Sequence, residues 1–433
     1  MKRATFTLAG LISAWTGIAQ DLPPGVLLFS RVRTHINEEL HVLTTISCLE
    51  TVQREHQAAK GKMRPLDTIR LEVLTNGDKE LFASPGDRRF SENHPMSYAG
   101  SGTLGNGLFG PYLKQILVSG SVASHYKGEE EVGGRLLAPY DYQIPPLISG
   151  QMIHMLEGSG RVGLHGSYWV DQQTYDVIRL EMNADEFPPT LPVTEMTQSI
   201  NYARTGLGDD LVVLLPETAD IRLVKYSGEI SHNRVQFTHC RVFGAESTID
   251  FNASDSVDQT PGFGVASLDD TLRPLLGGLQ IGVKLRSRIT GDMAVGTLID
   301  GTVAGDVAAK HGVVIPSGSP VRGRIRRMER YTDPFPYFVV GLEFTEVEVE
   351  GIRHLFYADL IEISPALGVE LILKNTTRTQ TNPLLFGNIS TGQTIETLSL
   401  YKLPGVATFF YKGAKLELPQ DFRMVWRTHS LKP

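Results

Sequence analysis

Between residues 26 and 41 the apolar positions Leu28, Val32, Ile36 and Leu40 recur every four residues, with Arg, Asn and Glu between them. That spacing lays one apolar stripe along an amphipathic helix of about four turns. The period then changes. From Leu43 to Arg54 the chain is rich in Thr, Ile, Val and Cys, residues that favour strands. Residues 58–65 are polar, contain Gly61 and read as a turn. Over 66–75, Ile69, Leu71 and Val73 alternate with Thr68, Arg70 and Glu72 before Asn76-Gly77-Asp78. Asn-Gly between alternating runs is a strong hairpin signal, so residues 79–83 are expected to return antiparallel.

Gly100, Gly102, Gly105, Gly107 and Gly110 interrupt the strands and predict a loop or short helical lid over 95–111. Strand-like runs resume at 116–126, 135–144, 151–156, 161–170, 175–183, 196–203, 211–226 and 234–251. A long meander behind one helix predicts a highly curved antiparallel sheet wrapped around that helix. Residues 252–271 are polar and rich in Ser, Asp and Gly, as a linker is. Alternation then restarts, with Leu279, Ile281, Val283 and Leu285 on one face. Further strands are expected at 296–303, 313–315, 321–328, 338–348 and 358–363, with a tail at 369–373 and 409–418. The fold class expected is mainly β with an N-terminal helix: a half-barrel over 20–252, a linker over 253–273, and a small β-barrel or sandwich over 274–433. No short-period repeat of the solenoid or propeller kind is present.

Composition adds an address. The 433 residues are 41% hydrophobic and 21% charged, as in a packed globular protein, and the net charge of −7 argues against a general nucleic-acid binder. Met1-Lys2-Arg3 is basic, residues 4–18 carry no acidic group, and Gly17 and Ala19 are small residues ahead of Gln20. Residues 1–19 therefore read as a secretory signal peptide, the alternative being a buried N-terminal helix. No Cys stands at the cleavage point, and no later stretch approaches the ~18 apolar residues of a membrane span. The expected location is periplasmic or secreted. An oxidising compartment permits a disulfide between the two cysteines, Cys48 and Cys240. Two unpaired thiols are the alternative. The count excludes both a CxxC redox site and a thiolate metal cluster.

Reactive constellations are lacking. Gly100–Gly105 and Gly158–Gly163 both spell GxGxxG, but a phosphate cradle needs a strand before the motif and a helix after it. The first lies in a loop and the second runs into a strand. Ser124-His-Tyr-Lys127 fits SxxK without the partner motifs of penicillin-recognising enzymes. His154 and His165 could face each other across a hairpin, but no third ligand accompanies them. Glu129-Glu-Glu131 reads as an exposed acidic turn. Arg322, Arg324 and Arg326 share one strand face. They form either a patch for lipid phosphates or an acidic partner, or a stripe neutralised across the strands by Glu343, Glu346 and Glu348. No catalytic residue, cofactor or metal is expected.

Helix, strand, turn and strand over 26–75, and the text Gly166-Ser-Tyr-Trp-Val-Asp171-Gln-Gln-Thr174-Tyr-Asp-Val177-Ile-Arg179-Leu, resemble the outer-membrane lipoprotein carrier superfamily of LolA/LolB-type half-barrels. Cys48–Arg54, Arg64–Val73 and His239–Ser247 are similar to an uncharacterised secreted envelope family. Together these cover roughly residues 26–251. Residues 313–325 are similar to small β-barrels of TrbI-like conjugation subunits. The resemblance implies a concave face that binds acyl chains or other lipid groups beneath a helical lid, with no bond broken. The chain departs from those carriers in its longer first unit and its added second one. The implied function is a non-enzymatic envelope protein sheltering a lipid or lipoprotein acyl chain, with envelope proteins as possible further partners. Tyr168, Trp169, Tyr175 and Tyr202 are the aromatic candidates for lining such a cavity, and Phe187 adds to that aromatic mass. The alternative is an assembly component with no ligand cavity.

Overall fold

The computed structural model describes residues 23–250 and 273–429, apart from 45, 77–78, 88, 92–97, 100–101, 106, 156–157, 209–210, 244–247, 310–311, 334, 365–367, 374–402 and 404. The expected signal peptide, and the expected linker except for Arg273, lie outside the described residues. Helix α1 (Pro24–Leu43) starts on a proline, whose fixed φ suits the first turn, and buries Val32, Ile36 and Leu43. The apolar stripe thus falls where the four-residue spacing put it.

The first sheet holds thirteen strands. They begin with β1 (Ile46–Gln57), β2 (Arg64–Asn76), β3 (Lys79–Ala83) and β4 (Arg89–Ser91). Next come β5 (Ser124–Tyr126), β6 (Glu130–Val132) and β7 (Arg135–Ile144). After a separate hairpin of β8 (Met152–His154) and β9 (Ser159–Arg161), the long strands follow: β10 (Gly163–Asp171), β11 (Val177–Asp185), β12 (Val193–Leu207), β13 (Leu211–Lys225) and β14 (Ile230–Val242). A short β15 (Thr248–Asp250) runs parallel to β4 at one edge. The order β15-β4-β3-β2-β1-β14-β13-β12-β11-β10-β7-β5 places the first long strand beside the last and leaves β4 and β5 far apart. The sheet is therefore a curled, open half-barrel with α1 in its hollow. Cys48 on β1 and Cys240 on β14 are disulfide-bonded across that junction.

One expected strand is helical. Of residues 116–126 only β5 is extended, whereas Pro111–Leu113 forms a helical turn that continues as a π-helical turn over Lys114–Val118. Pro111 fixes the first φ, and Tyr112, Leu113, Ile116 and Leu117 recur at helical spacing and bury one face.

The second sheet has ten strands. Pro320–Tyr331 and Tyr337–Val349 form its central hairpin, and Arg423–Thr428 lies between Gln280–Leu285 and Ala358–Ile363. That last strand lay beyond the expected tail, yet it carries the fully buried Trp426. No described helix is long and apolar enough to cross a membrane.

Candidate functional site

Period-two alternation carries one face of every long strand into the hollow. On β1 these positions are Cys48, Glu50, Val52 and Arg54, all buried. The pairing register continues the same face through Val235, Ala219, Ile200, Leu180, Tyr168 and Tyr140. This apolar floor is covered by α1 and by residues 107–118, a flap that inserts Leu108, Phe109, Tyr112, Leu113, Ile116 and Leu117 into the core. Gly25 lets the start of α1 approach closely: a Cβ there would lie 2.6 Å from the Tyr126 ring, and Tyr140 Oη donates to the Gly25 carbonyl at 2.8 Å. A cavity of about 10 Å³ lies beside Tyr112 of the flap and Leu164, Met182 and Gln198 of the floor. That is room for about one water.

Polar groups sit within this apolar setting. Glu80 on β3 accepts the backbone N–H of Gly107 at 2.5 Å and of Phe109 at 2.6 Å, so one carboxylate pins the flap to the sheet edge. Its side chain is half-buried, with the carboxylate closed in by the flap backbone. Burial pushes this carboxyl up to about 7, against the lowering effect of the two N–H bonds. Glu50 is 4% exposed and is driven well above the usual carboxylate range, first by burial and then by Glu80. Tyr202 Oη and Gln198 Nε2, on the same floor, are buried without a hydrogen-bond partner. Tyr112 Oη donates to Gln151 at 2.8 Å, and Gln115 Nε2 to the Ser149 carbonyl, tying the flap to the loop around Pro146–Ser149.

Helix α1 is held by charge as well as by packing. His35 Nε2, Glu39 and Asp176 bring three metal-competent atoms within 4.8 Å of one another. Arg204 reaches Glu39 at 2.7 Å and Asp176 at 2.6 Å in the same place. A guanidinium between two carboxylates already balances the charge that would draw a cation, so this cluster is a clamp between helix and sheet. Burial raises the Asp176 carboxyl, but its bonds from Arg204 and His35 outweigh that and leave it below the ordinary value.

The four aromatic residues singled out in the sequence do not converge. Tyr168 and Tyr202 lie on the concave floor, Tyr168 stacked on Tyr140 with ring centroids 5.2 Å apart. Trp169, next along β10, points to the opposite face, and Tyr175 sits in a turn at φ 63° with its hydroxyl accepting from Arg31. The arginine stripe is neutralised: Arg322 faces Glu346 and Glu348, and Arg326 pairs with Glu343. Arg324, although opposite Glu343 in register, turns instead to Asp87, in the turn between β3 and β4, at 2.5 Å. Lys127 of the SxxK run pairs with Asp141, His154 bonds Ser159, and His165 bonds Asp185. Residues 158–163 run into β10 with no helix behind them.

The buried acids were not singled out from sequence. The signal was present: Glu50 and Arg54 occupy the apolar phase of a strand whose other inward positions are Cys48 and Val52. Arg54 is satisfied by Asp67 on β2, at 2.6 and 2.7 Å.

No family model matches the chain, and no curated protein matches it. Among solved structures, a DUF1329 family protein from Desulfovibrio piger is similar at 12% identity and a TM-score of 0.29, covering 51% of this chain and 94% of its own. An outer membrane lipoprotein-sorting protein domain from Vibrio parahaemolyticus, described as putative, covers 52% and 96% at 10% identity and a TM-score of 0.29. A LolA superfamily protein from Nitrosomonas europaea covers 49% and 93% at 10% identity and a TM-score of 0.25. The half-barrel itself rests on this chain's own strand order and register.

Proposed function

We propose that the protein is an exported, non-enzymatic carrier that shelters a lipid or lipoprotein acyl chain in the hollow of its first sheet. Residues 1–19 would direct export to the periplasm or beyond, residues 20–252 would carry the ligand, and residues 274–433, after the 253–273 linker, would dock envelope partners. One observation supports this most directly. The apolar floor of the half-barrel is closed by a loop-borne flap held at its edges by Glu80 and Gln115, so swinging residues 107–118 away would bare a trough without unzipping a strand. Most of that trough is apolar, and Glu50, Gln198 and the Tyr202 hydroxyl supply the few polar groups that orient a ligand.

A second reading has its own support. The cavity beside Tyr112, Leu164, Met182 and Gln198 holds about 10 Å³, against the roughly 300–1,000 Å³ of sites for small organic ligands. A protein that never opens its flap would be a structural or assembly component using its outer surfaces alone. Organic extraction of the purified protein with mass spectrometry, and titration with a fluorescent fatty acid, separate the two. The carrier reading expects saturable uptake that tightens when Phe109→Ala and Leu113→Ala thin the flap. No co-purifying lipid and no uptake by either form would leave the assembly reading standing.

A further inference from the structure

A broad groove lies on the outer face of the sheet, away from the hollow. It measures about 580 Å³ and crosses β1, β14, β13, β12 and β11, within the ordinary size range of small-ligand sites. The register builds it from two rows. One runs Arg179, Asn201, Thr218, Gln236 and Thr51 in directly paired positions, with Trp169 opposite Arg179 just beyond the groove's lining. The other runs Ser199, Asp220, Arg234 and Gln53, with Glu181 opposite Ser199 just beyond the lining. Directly opposed residues share a face, so these side chains stand side by side.

Their chemistry narrows the ligand. Glu181 accepts from Arg179 at 2.7 Å, Arg179 donates to Asn201 Oδ1 at 3.2 Å, and Asn201 Nδ2 donates to Thr218 at 3.1 Å. This ladder fixes amide, hydroxyl and guanidinium groups across three strands before any ligand arrives, which lowers the ordering cost of binding. Arg179 is matched by Glu181, Arg234 by Glu55 at 3.2 Å, and Asp220 by His232 at 2.8 Å. Balanced charge disfavours an anion such as a lipid phosphate. The five strands are interior to the sheet and their backbone groups are already paired, so an extended peptide cannot add as a strand. With Thr, Ser, Asn, Gln and charged side chains dominating the floor and only Ala219 and Val235 apolar, an acyl chain finds no continuous apolar surface there. A sugar fits: each hydroxyl both donates and accepts, and Trp169, opposite Arg179 just beyond the lining, is the aromatic residue nearest in register for the C–H face of a pyranose whose end passes the groove.

The geometry points to the convex groove between Thr51 and Trp169 as a binding site for a neutral oligosaccharide, separate from the concave hollow. Isothermal titration of the purified protein with a panel of malto-, chito- and β-glucan oligosaccharides tests it. At least one is expected to bind saturably. Asn201→Ala should weaken that binding about tenfold, the size of one net hydrogen bond, and Trp169→Ala should weaken it independently. Thermal melting and circular dichroism of each variant confirm that the fold is retained, and Gln236→Ala, at an exposed position, keeps the test alive if Asn201→Ala does not fold. Absence of binding across the panel, binding untouched in the folded variants, or preference for an unglycosylated peptide or for anionic vesicles would overturn the assignment. Fatty-acid uptake should be the same in all three variants.

Discussion

Glu80 is the residue at which packing and titration meet. Its carboxylate accepts two flap N–H groups, yet burial holds its pKa near 7, above the ordinary 4.5. An acid whose folded pKa is raised binds its proton more tightly in the folded state. Its stabilising contribution is therefore complete below pH 4.5 and is lost as the pH rises to 7. The shift corresponds to about 3 kcal/mol, and Glu50, also raised, acts in the same direction. Urea unfolding is thus expected to show a higher midpoint at pH 5 than at pH 8, and Glu80→Gln should reduce that difference, with Glu50 carrying the remainder. An unchanged pH slope in the variant would mean that the carboxyl is not the group being titrated.

Among the elements, the β1–β14 seam closes the register between the first and last long strands, and the Cys48–Cys240 disulfide locks it over a separation of 192 residues. Cross-linking so long a loop chiefly restricts the unfolded chain, and removing a native bridge typically costs about 2–5 kcal/mol. Replacing both cysteines by alanine should lower the melting temperature without changing the circular dichroism of the folded state, as should reduction of the wild type. The flap illustrates what a strand-oriented reading overlooks. Residues 116–118 look β-like by composition, and only the pairing of Tyr112 with Ile116 and Leu113 with Leu117 at four-residue spacing, behind Pro111, discloses a helical turn.

The two sheets behave as neighbours that share a seam. Beyond the end of β3, the free edge of β2 is taken by Val295: Arg70 N–H donates to its carbonyl at 3.0 Å, and its own N–H donates to Thr68 at 2.8 Å. Arg324 crosses the same boundary to the Pro85 carbonyl at 2.8 Å and to Asp87. One apolar cluster runs through both sheets. Capping an open edge in this way removes a pairing hazard and couples the two folding units. Calorimetry should therefore show a single cooperative transition. Arg324→Ala, which leaves the Pro85 and Gly296 carbonyls without their charged donor, should cost about 1.5–3 kcal/mol and begin to split that transition in two. A wild type that already melts in two separate steps would show the seam to be weak.

Local pattern determined a good deal of this molecule. The four-residue stripe specified α1, the alternation around Ile69 to Val73 specified β2, and Asn76-Gly77 specified its hairpin with β3, because each depends only on neighbours within a turn or a strand pair. The meander and its curled, mainly β character followed from the same short-range signals, and so did the opposition of Arg324 to Glu343. Where side chains went once strands were paired was decided by contacts more than a hundred residues apart. Arg324 left Glu343 for Asp87, and Arg204 joined Asp176 to Glu39 on α1. An ion pair or a buried acid depends on what the folded chain brings within a few ångströms, and a hydrophobic pattern carries no information about those distances.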